Sequence, residues 1–368
     1  MLKNKTIGHI ALLIALGCLV SQAWAKPIRV SKTEASPIGK QAKKTSPTPI
    51  PASPQDTPAP PRQERQPHPV PPQQTASIGI SSLTLYSGGS LNMGGLANVT
   101  GSVAGVNSVS LAMAAGAGDI YSETCIYLGV NSHARGNVWA NDKVSLEGIS
   151  RVDGNVTTQG KYLKAASATV TGQTVLGRDA TLLVLPSMDT ASDSGKLGRK
   201  SIWEGRNTTT DLASGSYKTV GFDRNATLNL SAGTYTMKSF SMERDGLVNV
   251  DTSSGDVILN VHSGFAAGDN VVFNTLGDGD LFVNVFDKNV KLDNNVTMDA
   301  TVRVFKGKFA AGTDANLTGT FHASSDITLG QGSQVTYGSA GGAVPEPATI
   351  ALLSCGGAMC ILRKYRRK

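Results

Sequence analysis

Few residues in this sequence could do chemistry, and their spacing limits what that chemistry could be. His133, His262 and His322 lie far apart, with no HExxH run and no Cys/His grouping to gather them around zinc, so they are expected at turns or on the surface. Gly277-Asp278-Gly279-Asp280-Leu281 is the one local pattern suited to a hard cation, because Asp278 and Asp280 on glycine turns could aim several oxygens at calcium. It occurs once, without a tandem nonapeptide array, and reads equally well as a turn leading into a strand. Asp287, Asp293 and Asp299 recur every six residues. Glycoside cleavage needs two carboxyls facing each other across the substrate, whereas a six-residue step in a three-sided coil puts successive carboxyls at successive corners. Neither a G-x-S-x-G elbow nor a Walker A loop is present, which removes the usual supports of acyl and phosphoryl transfer, and no motif implies a cofactor. Cys125, beside Ile126 in a strand-like run, is expected to be a small buried apolar residue.

Composition sets the bounds of whatever positions these residues. Of 16 prolines in 368 residues, thirteen lie between Pro27 and Pro72, two are Pro345 and Pro347, and only Pro186 falls between. The span 76–342 is therefore expected to be one continuous module. The formal charge of +7 resides in the ends, since the module itself carries 19 Lys/Arg against 23 Asp/Glu. With a net negative body there is no electrostatic footprint for phosphate backbones, and nucleic acid is not an expected partner. Cys18, Cys355 and Cys360 fall outside the module, so Cys125 has no partner for an internal disulfide and stability must come from stacking and hydrogen bonds.

The module repeats. Gly118-Asp119-Ile120, Gly136-Asn137-Val138, Gly154-Asn155-Val156 and Gly172-Gln173-Thr174 are 18 residues apart, and Ile126, Val144 and Tyr162 keep the same step, as do Ala134, Val152 and Val170. That period has no helical apolar face but divides into three short strands with their turns. It predicts an all-β fold: a parallel β-helix of about 18 residues per coil, with Val138 and Val156 stacked inside and Gly at corners that call for φ > 0. The second half repeats less regularly, in runs such as Val257-Ile258-Leu259-Asn260-Val261 and Leu281-Phe282-Val283-Asn284-Val285. Leu317 and Val335 again differ by 18, and Asn316-Leu317-Thr318-Gly319-Thr320-Phe321 echoes Asn98-Val99-Thr100-Gly101-Ser102-Val103. Residues 186–210 lack the pattern and are expected to form an excursion loop or a junction between two solenoid segments. Triplets such as Asn155-Val156-Thr157 and Asn295-Val296-Thr297 match a glycosylation pattern, and also follow from a turn Asn preceding a β-branched strand.

The ends read as addresses. Residues 1–25 place Lys3 and Lys5 before an apolar run and finish in Ala23-Trp24-Ala25, a secretory signal with cleavage after Ala25; Ala15-Leu16-Gly17 before Cys18 is a weaker, lipoprotein-type alternative. Residues 26–75, rich in proline and basic, are expected to be a disordered spacer of polyproline II character, able to lie against anionic polymers. At the other end, Pro345-Glu346-Pro347 precedes the apolar stretch 348–362 and the cluster Arg363-Lys364-Tyr365-Arg366-Arg367-Lys368, so 343–368 is expected to carry a short transmembrane helix with its basic tail in the cytoplasm.

Those three C-terminal features resemble the PEP-CTERM sorting signal of Gram-negative bacteria that make exopolysaccharide. The resemblance covers about the last 25 residues and implies a tail held in the inner membrane until an exosortase processes it near Pro345, Glu346 and Pro347. Across roughly 95–340, the Gly-Asn/Asp turns and Val-x-Leu strands are similar to bactofilin-like and pilus-associated β-solenoid domains, families that build structural, often self-assembling surfaces. Together they imply an exported, non-enzymatic cell-surface or matrix protein associated with exopolysaccharide or another wall polymer, and capable of self-association. A β-helix polysaccharide lyase or hydrolase, and a membrane-tethered structural protein whose tail is never processed, are the alternatives.

Overall fold

Apolar residues alternating with polar ones make half-buried strands, and a turn after every few residues keeps most of these strands between two and five residues long. The computed structural model describes residues 75–177, 180–188 and 195–338. Among them there is no α-helix, and a 3-10 turn spans Ile80–Ser82. The strands wind into a parallel β-solenoid of about 13 turns, with about 19 residues per turn. The segments expected at 1–25 and 343–368, and all but the last residue of 26–75, lie outside the described residues; no described helix is long and apolar enough to cross a membrane.

Each turn contributes a strand to three faces. The first face stacks Leu85–Ser87, Val103–Gly105, Ile120–Ser122, Val138–Ala140 and Val156–Thr158. The second stacks Ser90–Met93, Ser108–Leu111, Cys125–Leu128, Lys143–Leu146 and Lys161–Lys164, and the third stacks Gly116–Ala117, His133–Ala134, Arg151–Val152 and Thr169–Val170. The repeat read from the sequence is the register of the ladders: Val138 opposes Val156, Ile126 opposes Val144 and Val144 opposes Tyr162. Their inward side chains belong to one apolar core running from Leu85 to Val335.

The step is not constant. In the second half Phe240, Phe265 and Val290 stack at 25-residue intervals. There the strands of the first and third faces, such as Leu247–Asp251, Val257–Val261 and Val272–Leu276, are five residues long, which widens the coil. A wider interior needs larger side chains to stay close-packed. Phe240 and Phe265 accordingly stack inside it with ring centroids 4.8 Å apart, and Phe273 packs against both. The first half fills its narrower core mostly with Val, Ile, Leu and Ala.

The order of turns in space differs from their order along the chain. Leu85–Ser87 pairs on one side with Val103–Gly105 and on the other with Phe321, His322 and Ala323. Leu91 likewise lies between Val109 and Ile327, and Asn98 between Gly116 and Gln334. The chain thus starts in the middle of the stack, winds outward to Leu176, crosses to the far end at Ser201, and winds back until its last turn closes against its first. This seam explains why 316–321 echoes 98–103: Leu317, Val335 and Val99 share one inward column on neighbouring turns.

The stretch 186–210 corrects the expected loop at its second half. Ser201–Glu204 and Thr209–Leu212 are strands of the terminal turn, paired with Thr219–Phe222 and Thr227–Leu230. The crossing begins earlier, at 180–188, as a strap lying on the outer side of the first face. Successive turns hold it: Gln159 Nε2 donates to Ala180 O at 2.9 Å, and Trp139 Nε1 to Thr181 O at 3.1 Å. The Asn141 side-chain amide makes a two-way bond with the Leu183 backbone (2.7 and 2.8 Å). Glu123 Oε1 accepts from Leu185 N at 2.7 Å, and the Tyr86 hydroxyl donates to Pro186 O. Leu183 and Leu185 join Leu83, Tyr86 and Ala104 in a second, external apolar cluster, and Thr75–Ser77 adds a strand alongside Leu182–Val184.

The repeated glycines are needed for a different reason than expected. Gly118, Gly136, Gly154 and Gly172 do not have positive φ. They sit where adjacent turns approach closely: a Cβ on Gly154 would come within 2.6 Å of the Gly136 carbonyl, and one on Gly172 within 2.5 Å of the Gly154 oxygen. Among residues other than glycine the left-handed conformation occurs at the corner between the second and third faces, where Asn131, Asn207, Asn225, Asp245, Asn270, Asn295 and Asp314 have φ of 55–60°; at the corner between the third and first faces positive φ is confined to the second half, at Gly233, Gly255 and Gly277 (142°, 134° and 114°). Asn and Asp tolerate the left-handed region better than other side chains.

Candidate functional surface

Most polar side chains that the repeat singled out are used by the solenoid itself. At the corner between the third and first faces, Asp119 Oδ1 accepts from Asn137 N (2.6 Å) and Nδ2 (3.1 Å), and Asn137 Oδ1 accepts in the same way from Asn155 (3.0 and 3.2 Å). Asn155 Oδ1 then receives Gln173 N at 2.7 Å. On the third face Asn229, Asn249 and Asn274 form a second ladder, beginning at Asp211 (2.7, 2.8 and 3.3 Å). The left-handed corner carries a third, in which Asn295 donates to Asn270 (3.1 Å) and Asn270 to Asp245 (2.8 Å). Each amide satisfies the turn above and the turn below, which is why Asn recurs. The Asn of both Asn-x-Thr triplets, Asn155 and Asn295, are ladder members.

The candidate chemical groups are dispersed. His133 faces outward on the third face with Nε2 2.7 Å from Asp153 Oδ2, and Arg151 pairs with the other carboxylate oxygen. Arg151 first, and then His133, hold the Asp153 carboxyl below the usual carboxylate range. His262 lies at the corner after the first face, its ring 5.8 Å from that of Phe286. His322 departs from the expected turn or surface position: it is 7% exposed in the strand Asn316–Ala323, on the seam. Its Nε2 donates to Leu83 O at 3.0 Å, and its ring packs edge-on against Tyr86. Burial pushes this imidazole below its ordinary pKa, with the nearby Arg303 charge acting in the same direction and the Leu83 carbonyl opposing them. The 3-10 turn at Ile80–Ser82 sits just before Leu83, so the histidine is enclosed by a contact that its own neighbours in sequence do not provide.

Cys125 is also corrected. Ile126 and Leu128 point inward, so the period-two rule turns Cys125 outward, where it is partly exposed with Sγ 3.8 Å from Asp142 Oδ2.

Of the three aspartates spaced by six, Asp287 and Asp293 lie in turns, whereas Asp299 points outward from within Thr297–Val304. Asp299 and Asp280 line one cavity of ≈ 90 Å³, together with Thr275, Thr301, Gly279 and Gly319. Asp280 is pushed above its ordinary pKa by burial and then by Asp256, and Asp299 by burial and then by Asp280. Asp256 occupies on the preceding turn the position of Asp280, and its Oδ1 accepts from Asp280 N at 3.0 Å. Sequence reasoning missed it, although Gly255-Asp256 and Gly279-Asp280 are a 24-residue repeat ahead of two paired strands. Asp278 does not line this cavity. Among the described residues no group of three or more His, Cys, Asp or Glu side chains is placed to hold a metal ion.

Taken together these features define a parallel β-solenoid with laddered outer edges, an external strap and a closed seam. No family model and no curated protein matches the chain. Among solved structures, an ice binding protein from an Antarctic bacterium Flavobacteriaceae is similar over 72% of this chain and 81% of its own, at 13% identity and a TM-score of 0.25.

Proposed function

We propose that this chain is an exported, non-enzymatic cell-surface or matrix protein, sorted through its PEP-CTERM-like residues 343–368 by an exosortase and associated with exopolysaccharide. The stack itself carries this reading. About 13 parallel turns at about 4.8 Å each make a rod roughly 60 Å long, in which backbone and outer side chains are bonded turn to turn. Such a body is suited to presenting a stiff, repetitive surface. Trp203, which is exposed and lies against Gly221, offers a large flat apolar area of the kind used at binding surfaces. In this reading the inner membrane holds the protein only before processing. The basic segment 26–75 then tethers the rod to anionic polymer, and no cofactor is involved.

Mass spectrometry of the C-terminus of material recovered from the cell surface tests the sorting step. A terminus near Pro345–Pro347 is the expected result, and recovery of the intact Arg363 to Lys368 cluster would refute processing. Incubation with the producing organism's polysaccharide tests the rest, with retention and no new reducing or unsaturated ends expected. One observation favours a polysaccharide-cleaving enzyme instead: Asp280 and Asp299 share a cavity and are both held above their ordinary pKa. Depolymerisation lost in Asp299→Asn would establish that second reading.

A further inference from the structure

One corner of the solenoid changes character halfway along its length. Between the second and third faces, the turns from Asn207 to Asp314 each present Asn or Asp in the left-handed conformation. On the four turns between Gly94 and Ser150 the same corner projects Leu96, Met113, Val130 and Ile149, which are 54, 64, 46 and 58% exposed. Tyr127 and Leu163, on the adjoining second face, extend the apolar surface sideways. The turns are stacked in register here, with Leu96 N donating to Met113 O at 3.0 Å and Ala114 N to Val130 O at 3.0 Å, so the side chains form a continuous ridge.

At Leu96 the ridge is maintained against a local backbone preference. Leu96 and Ala114 adopt φ of 63° and 59°, the conformation that the other turns assign to Asn, Asp or Gly. A residue with a Cβ and no polar side chain in this region costs roughly 1–2 kcal/mol. Asn131, one turn further on, shows that the cheaper residue fits this half of the solenoid too. Nothing within the described chain covers the ridge.

We propose that the ridge Leu96–Met113–Val130–Ile149 is a self-association surface whose partner is the same ridge on a second copy of this chain, related by a two-fold axis. With Tyr127 and Leu163 beside it, the six side chains present on the order of 500 Å² of apolar surface, at the upper end of what a monomer leaves exposed. Two ridges packed together bury at most about 1,000 Å², which reaches the lower bound of a specific protein interface. The surface is convex and its side chains repeat at the spacing of the turns, about 4.8 Å. A partner that interdigitates with it must carry side chains at the same pitch, and a second ridge does. The interface is isologous, so it closes as a dimer and does not propagate. This inference is independent of the proposed sorting and polymer binding.

Sedimentation velocity on the full chain across the micromolar range tests it, comparing the native sequence with Leu96→Asn alone and with Leu96→Asn/Met113→Ser/Ile149→Asn. The expected result is a concentration-dependent dimer whose dissociation constant rises at least about 100-fold in the triple variant and to a lesser degree in the single one. In Leu96→Asn the thermal midpoint should stay unchanged or rise, because Asn is the residue this corner uses elsewhere in the left-handed conformation. A monomer at all concentrations, or a dimer unaffected by the triple variant, overturns the proposal. So does a dimer that appears only once residues 343–368 are removed, since the ridge would then be covered by that segment. Binding to phosphatidylglycerol vesicles that is lost in the variants, with no dimer, would assign the ridge to a lipid surface and also overturn it.

Discussion

Replacing Gly154 by Ala should destabilise the solenoid through turn-to-turn spacing alone. The added methyl would lie 2.6 Å from both C and O of Gly136 and 2.8 Å from Asn137 N, all backbone atoms with no side-chain rotation to relieve them. Ordinary contact needs about 3.5 Å or more, so adjacent turns must part locally by nearly 1 Å. Overpacking of this kind costs about 1–3 kcal/mol. The same displacement stretches the Gly154 N to Gly136 O bond (3.0 Å) and the Asn155 N to Asn137 Oδ1 bond (3.0 Å), each worth about 0.5–1.5 kcal/mol. The lower entropy of an unfolded chain with Ala returns about 0.4–1 kcal/mol. A net loss of roughly 1–5 kcal/mol follows. Gly205 is the control, since a Cβ there meets nothing within 4 Å and its φ is not positive. Denaturant unfolding, with hydrogen exchange resolving turns 118–176, should show Gly154→Ala well below Gly205→Ala. If the two variants agree to within about 0.5 kcal/mol, close approach is not the reason for the glycine column.

The seam should be sensitive to acid. The folded pKa of His322 is depressed, so below the unfolded value near 6.5 the unfolded chain binds the extra proton; the stability contributed by the neutral ring is complete above that pH and falls as pH drops toward 5, by at most about 1.4 kcal/mol per pH unit. Asp280 and Asp299, with raised folded values, act in the opposite sense nearer their own ordinary range, so the difference between the native chain and His322→Gln isolates the histidine; parallel pH profiles from 7 to 5 would refute its role. Asn141→Ala removes both bonds to Leu183 and should loosen the strap at a cost of about 1–3 kcal/mol, read as faster proteolysis within 180–188 while the inner turns stay protected. Cys125 should react with a thiol reagent in the folded protein at a rate comparable to that in denaturant; complete protection would place the thiol inside the wall.

Much of the coil was legible because its determinants are local. Val138 and Val156, or Ile126, Val144 and Tyr162, are one turn apart in both sequence and space, so a fixed period in the first half reports the register directly. Three readings failed where a local rule had a competitor. Cys125 looked apolar and buried, but alternation with Ile126 and Leu128 turned it outward. The Gly-Asn pairs of the first half looked like positive-φ corners, whereas contact between turns explains those glycines and positive φ at this corner appears only in the second half, as at Gly255 and Gly277. His322 looked like a surface residue because its cover, Leu83 and Tyr86, is more than 230 residues away in sequence.

The sequence alone determined that the module is a parallel coil, which residues face inward in its regular half, and that its polar repeats are turn residues, because each depends on neighbours one period away. Only the tertiary structure decided that the last turn closes on the first, that 180–188 straps the outer face, that Asp256 joins Asp280 and Asp299, and that an apolar ridge runs along the left-handed corner on four turns. Closure between distant segments is set by which ends of the stack can bury each other's open edges, and no period in the chain encodes that choice.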